Sequence, residues 1–165
     1  MMMIKELLLK QFDRCFSENG WFVAVNNAID GVTADQAAWK PEGSDNSIWE
    51  TLTHLTYYNN AYMQRFRGIE YEYDLADNDA TFRLNENTEQ AWRTVVGKFD
   101  MVMNEWRTLI EQANDSKFSQ PVPTKPEQTW ADLIADVNTH NAYHGGQILL
   151  LRKLQGAWNR EKGVS

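Results

Sequence analysis

Three residues in this chain stand out as able to do chemistry: His54, His140 and His144, which are all the histidines it has. His140 and His144 are four residues apart, so on an α-helix they stack on one face about 6 Å apart. From there both imidazoles can reach one metal ion at the usual bond length of about 2.1 Å. The apolar positions around them place the pair on a core stripe. Steps of four, three, four and four lead from Leu133 through Val137, His140 and His144 to Ile148. Two imidazoles buried side by side without partners would each cost roughly 1–3 kcal/mol, and protonated they would repel. A metal removes both problems, because neutral imidazole is the ligand form. His54 lies at the flank of its own helix's apolar stripe, where it can face a neighbouring helix. The competing reading is packing. A histidine pair at this spacing also arises by chance or as a core pair bonded to carbonyls, and His54 alone fits a surface or core histidine. His140-Asn-Ala-Tyr-His144 has the spacing of a zincin motif but no Glu after the first histidine, so the general base of such a protease is missing.

The elements that must position these residues read as four long helices, with no sustained strand alternation. The first is expected from about Ile4 to Ile29, with Leu8, Cys15, Phe22 and Ile29 recurring every seven residues, Ile4 and Val25 on the same face, and a bend at Gly20. Thr33-Ala-Asp-Gln36 and Ser47-Ile-Trp-Glu50 have capping-box form. The first predicts a short helical turn ending before Pro41. The second starts helix two, which ends at Gly68 and carries Ile48, Leu52, Leu55, Tyr62 and Phe66 inward. Residues 69–87 are polar, acidic and without a period, which fits a crossover connection or a lid. Helix three runs from near Thr88 to near Asn114, with Trp92, Val95, Phe99, Val102, Trp106 and Leu109 in alternating steps of three and four. The proline-rich segment from Gln120 to Pro126 predicts an extended linker. Thr129 then caps helix four, which continues to about Gln155. The expected fold is all-α: one four-helix-bundle domain over residues 1–165, with a long crossover between helices two and three.

A net charge of −7 speaks against nucleic acid and against adsorption to anionic membranes. The single cysteine, Cys15, excludes an intrachain disulfide, and its place on an apolar stripe makes it a packed thiol. No stretch approaches the roughly 20 apolar residues of a membrane span, and the N-terminal segment carries charges inside a short apolar run. A cytoplasmic protein is expected.

The chain resembles the DinB-like superfamily of four-helix metalloproteins, which includes the bacillithiol and mycothiol S-transferase branches. The resemblance rests on Trp39-Lys-Pro41, on Asn46-Ser-Ile-Trp-Glu-Thr-Leu-Thr-His54-Leu55, and on His140-Asn-Ala-Tyr-His144-Gly-Gly-Gln-Ile148. It implies one divalent metal ion held by His54, His140 and His144, a bundle with a crossover, and a homodimer. Similar sequences often carry a basic residue where this one has Gly145, which removes a cationic contact at that spot.

Three neutral imidazoles leave a divalent ion its full charge and one to three open positions, the pattern of a catalytic site. Such an ion lowers the pKa of bound water and binds a thiol as thiolate. Zinc and nickel come first for an all-imidazole set. The expected function is therefore a metal-dependent transferase of a low-molecular-weight thiol, or a hydrolase, acting on a small molecule. The alternatives are a non-catalytic, stress-linked metal or small-molecule binding protein, and a structural bundle whose histidines pack. Several neighbours have more than one reading. Asp136 either orients His140 or is a solvated charge. Tyr58 and Tyr143 line the site or pack. Gly145-Gly146 opens space beside the metal or allows close helix packing. Gln147 bonds a ligand or a neighbouring backbone, and Trp49 sits in the core, at a pocket or at a dimer contact. Metal retention should fall as pH drops through the histidine range.

Overall fold

A computed structural model describes residues 3–163 of the chain. It is mostly helical, with four long helices: α1 (Ile4–Phe16), α4 (Ile48–Arg67), α5 (Glu89–Gln112) and α6 (Trp130–Leu154). Two short helices, α2 (Val25–Ile29) and α3 (Ala34–Ala38), lie between α1 and α4, and a two-stranded hairpin, β1 (Pro121–Val122) and β2 (Lys125–Thr129), precedes α6. No helix among the described residues is long and apolar enough to cross a membrane.

The helix starts follow from side-chain caps. Thr33, Ser47 and Thr129 each accept from the backbone N–H three residues on, while Gln36, Glu50 and Asp132 reach back to the cap residue. Thr88 caps α5 in the same way through Ala91. At the far end of α4, Gly68 takes φ 90°, the left-handed conformation that glycine adopts without strain, and closes the helix.

Each long helix touches two others, in the order α1, α5, α4, α6 and back to α1. Side-chain pairs give the directions. At one end of α4 and α5 Trp49 packs on Trp92 with ring centroids 5.2 Å apart, and at the other Phe66 packs on Trp106 at 5.0 Å. These two helices therefore run the same way. Between α1 and α5, Lys5 donates to Ala113 O at 3.1 Å, and Arg107 grips Asp13 through two bonds of 2.7 and 3.0 Å, so this pair is antiparallel. Between α4 and α6, two fully buried amides exchange hydrogen bonds: Asn59 Nδ2 donates to Asn141 Oδ1 at 2.7 Å, and Asn141 Nδ2 to Asn59 Oδ1 at 3.0 Å. The core is aromatic, with Phe12, Phe16, Phe99, Phe66, Trp106 and Trp130 buried.

Two expectations change. The first helix ends at Phe16 rather than Ile29, and the chain turns through residues 17–24 before α2. The turn is built by Asn19, whose side chain accepts from Ala24 N at 3.0 Å and from Asn27 Nδ2 at 2.8 Å. Asn and Gly in succession are a turn signal stronger than the heptad spacing that runs across them. Consequently Ile4 and Phe22 are exposed, and Phe12 and Phe16 take the core positions. The proline-rich segment is extended but paired as a hairpin, with Val122 opposite Lys125. Gly97 lies on the exposed face of α5, with open space where an alanine methyl would stand, and φ there is ordinary. Gly97→Ala should thus stabilise the protein by about 1 kcal/mol, raising Tm by about 2–4 °C in a thermal melt; an unchanged or lower Tm would contradict the open helix face.

Candidate metal centre

His54 comes from the middle of α4, and His140 and His144 from the middle of α6. Phe66 near the end of α4 packs on Trp130 at the start of α6 with ring centroids 5.1 Å apart, so these helices are antiparallel, and their packing brings the three rings together. Their centroids lie 5.1 Å (His54 to His140), 4.6 Å (His54 to His144) and 4.5 Å (His140 to His144) apart. One ring nitrogen from each lies within 4.8 Å of the others, an arrangement able to hold a metal ion. His54 and His144 are buried, at 3% and 7% exposure, and His140 is half-buried.

The outer nitrogens have fixed partners. Thr81 Oγ1 donates to Asn78 O at 2.6 Å, so toward His54 it can only accept, and His54 Nδ1 lies 2.6 Å from it. The proton of His54 is therefore on Nδ1 and its Nε2 presents a lone pair. His144 Nδ1 lies 2.6 Å from Gln147 Oε1, an acceptor, which puts that proton on Nδ1 as well. His54 Nε2 and His140 Nε2 face each other at 3.0 Å. Two nitrogens bound to one ion at about 2.1 Å each stand roughly 3.0–3.4 Å apart, so the donor set fits a shared divalent ion.

Ring packing completes the site. Phe82 stacks on His54 at 4.0 Å, with planes 11° apart. Tyr58 meets His54 and His140 edge-on at 5.0 and 6.0 Å, and its hydroxyl donates to Asn78 Oδ1 at 3.1 Å. Tyr143, 63% exposed, covers His144 from outside at 5.0 Å. Beside His140 opens a cavity of about 260 Å³, lined by Tyr58, Tyr62, Leu133 and Val137 among others.

Other residues singled out by the sequence divide. Gln147 supports His144 rather than a backbone. Asp136 is exposed and accepts from Gln128 Nε2 at 3.1 Å; among the described residues no hydrogen bond joins it to His140. Trp49 is core. Gly145 is buried where a Cβ would meet Val25 Cγ2 at 3.1 Å, which is close packing against α2, whereas Gly146 has open space beside it. Cys15 is a packed thiol. It donates to Asn138 O at 3.2 Å, and burial pushes its pKa up to about 12. Thr81 and Phe82 were not legible as site residues. They sit in an aperiodic connection, and the only trace is that they interrupt a polar run.

A family model described as the DinB superfamily matches residues 23–148, a span that contains all three histidines. The chain belongs to the DinB superfamily. No curated protein and no solved structure matches it.

In this DinB superfamily member the three imidazoles are electrostatically prepared to be neutral. Burial, with the neighbouring His144 and His140, lowers the His54 pKa to about 3. Burial and His144 lower that of His140 to about 4, and burial lowers that of His144 against the opposing bond to Gln147. An unfolded chain binds protons at His54 and His140 below about pH 6.5 and the metal-free folded chain does so only at lower pH, so the stability these rings contribute is full above that pH and is lost as pH falls toward their folded values. The expected loss in metal-free protein is about 2 kcal/mol at pH 5 for each of His54 and His140, read as a drop in urea midpoint that His54→Gln or His140→Gln reduces. An equal midpoint at pH 7 and pH 5 would contradict buried neutral rings. Thr81→Val removes the acceptor that orients His54. It should weaken zinc binding by about 10–100-fold in a chelator competition, with helical circular dichroism unchanged; unaltered affinity would show that Thr81 does not support a ligand.

Proposed function

We propose that this protein is a metal-dependent enzyme in which His54, His140 and His144 hold one divalent ion, zinc or nickel, and that it transfers a low-molecular-weight thiol to an electrophile, with hydrolysis as the nearest alternative chemistry. The observation that carries this reading is the convergence of three neutral imidazoles beside a cavity, with the outer nitrogens of His54 and His144 occupied. A divalent ion there supplies an undiminished positive charge that favours the ionised form of a bound thiol or water.

The chain's own residues do the rest. Thr81 and Gln147 keep the protons of His54 and His144 on Nδ1 and turn Nε2 inward. Phe82 and Tyr58 cover the His54 ring and keep water from its faces. His140, the least buried of the three, borders the cavity through which a small molecule arrives. Reading the fold as a four-helix bundle with a crossover is supported by the common direction of α4 and α5. It also gives the connection a part in the site, since Thr81 and Phe82 lie on it.

Elemental analysis of untagged protein is expected to find about one divalent ion per chain, with a large loss in His140→Ala. The loaded parent should then consume thiol and electrophile together in a panel assay, and chelation should abolish this. Metal bound at full occupancy with no turnover of any thiol or ester would move the reading to a binding protein. No metal in the parent after incubation with zinc or nickel would leave the histidines as packed polar groups.

A further inference from the structure

The cavity beside His140 carries a charge pattern that the metal does not explain. Its walls include Tyr58 and Tyr62 from α4 and Leu133 and Val137 from α6. Among its lining residues there is one lysine, Lys125 on strand β2, and one carboxylate, Asp136 on α6. They belong to different elements and face one space of about 260 Å³, yet among the described residues they form no ion pair with each other. Asp136 accepts one hydrogen bond, from Gln128 Nε2 at 3.1 Å, which positions its carboxylate and leaves acceptor capacity unused.

Two unlike charges lining one small, partly apolar space without pairing match a molecule that bears both complementary charges on a short frame. An ammonium meets Asp136, a carboxylate meets Lys125, and the carbon frame lies on Leu133 and Val137. A purely anionic or purely cationic ligand would leave one of the two charges facing its own sign. Because His140 lines the same cavity, a third substituent on that frame has an imidazole of the metal centre as its neighbour. We propose that this cavity recognises the zwitterionic end of an α-amino-acid thiol, with the ammonium on Asp136, the carboxylate on Lys125 and the sulfur on the His140 side. The choice of a thiol rests on the function proposed above; the choice of a zwitterion does not.

The two can be tested apart, by NMR titration of the full chain. In metal-free protein the probes are S-methyl-L-cysteine, S-methylcysteamine, which lacks the carboxylate, and S-methyl-mercaptopropionate, which lacks the ammonium. S-methyl-L-cysteine is expected to bind about tenfold more tightly than either, the scale of one charge-assisted contact. Lys125→Met should remove its advantage over S-methylcysteamine, and Asp136→Asn its advantage over S-methyl-mercaptopropionate. Both substitutions are on exposed positions, and unchanged helical circular dichroism confirms folding. Equal binding of the three probes, no binding of S-methyl-L-cysteine, or indifference to both substitutions overturns the proposal. In zinc-loaded protein, with metal retention checked after titration, L-cysteine should gain affinity that S-methyl-L-cysteine does not. Selectivity for the zwitterion without that gain would sink the thiol reading and leave the amino-acid pocket standing.

Discussion

Asn59 and Asn141 hold α4 and α6 in register by exchanging two hydrogen bonds where neither side chain can reach water. Apolar contacts between helices tolerate sliding, because one aliphatic surface resembles the next. A reciprocal amide pair does not, since a shift along the helix leaves buried donors and acceptors unpaired at about 1–3 kcal/mol each. The position of this pair matters as much as its strength. His140 immediately precedes Asn141, and His54 lies little more than a turn before Asn59. Register at the amides therefore decides whether the imidazoles of the two helices meet. A single polar contact in an apolar interface acts here as a locating pin, as buried Asn does in some coiled coils.

The second dependency runs through the connection between α4 and α5. That connection is long, polar and without a regular helix beyond one short turn. In this protein it delivers Thr81 and Phe82 to His54, one to the ring edge and one to the ring face. It is anchored on the way by tyrosines and an arginine: Arg65 donates to Tyr73 Oη at 3.0 Å and to Tyr71 O at 3.2 Å, and sits over the Tyr73 ring. The long polar segment is thus part of the histidine cluster, which binds the ordering of the connection to the ordering of the site.

Much of this was legible in the sequence where the signal is local. The caps at Thr33, Ser47, Thr88 and Thr129 mark helix starts because each satisfies backbone groups within three residues of itself, and Gly68 marks a stop for a similarly local reason. The pair His140 and His144 could be placed on a core face by periodicity. Where the deciding contact is distant, the sequence was silent. Nothing near Thr81 announces that its partner is His54, and nothing in α4 or α6 alone says that Asn59 and Asn141 will pair. The break after Phe16 is a different case: Asn19-Gly20 was visible, but the heptad spacing of Leu8, Cys15, Phe22 and Ile29 crossed it, and a periodic pattern can persist by coincidence across a turn.

The low proton affinity of the histidines also alters what acidity can do to the centre. An exposed cluster of imidazoles is half protonated near pH 6.5, so protons compete with metal there and each capture releases them. In the metal-free fold His54 and His140 are already bare at that pH, held so by burial and by one another. Metal capture at these two rings is then nearly proton-neutral around neutrality. The cost of keeping them uncharged is met by folding rather than by the ion, and at these two rings proton competition sets in only at a lower pH than it would at exposed imidazoles.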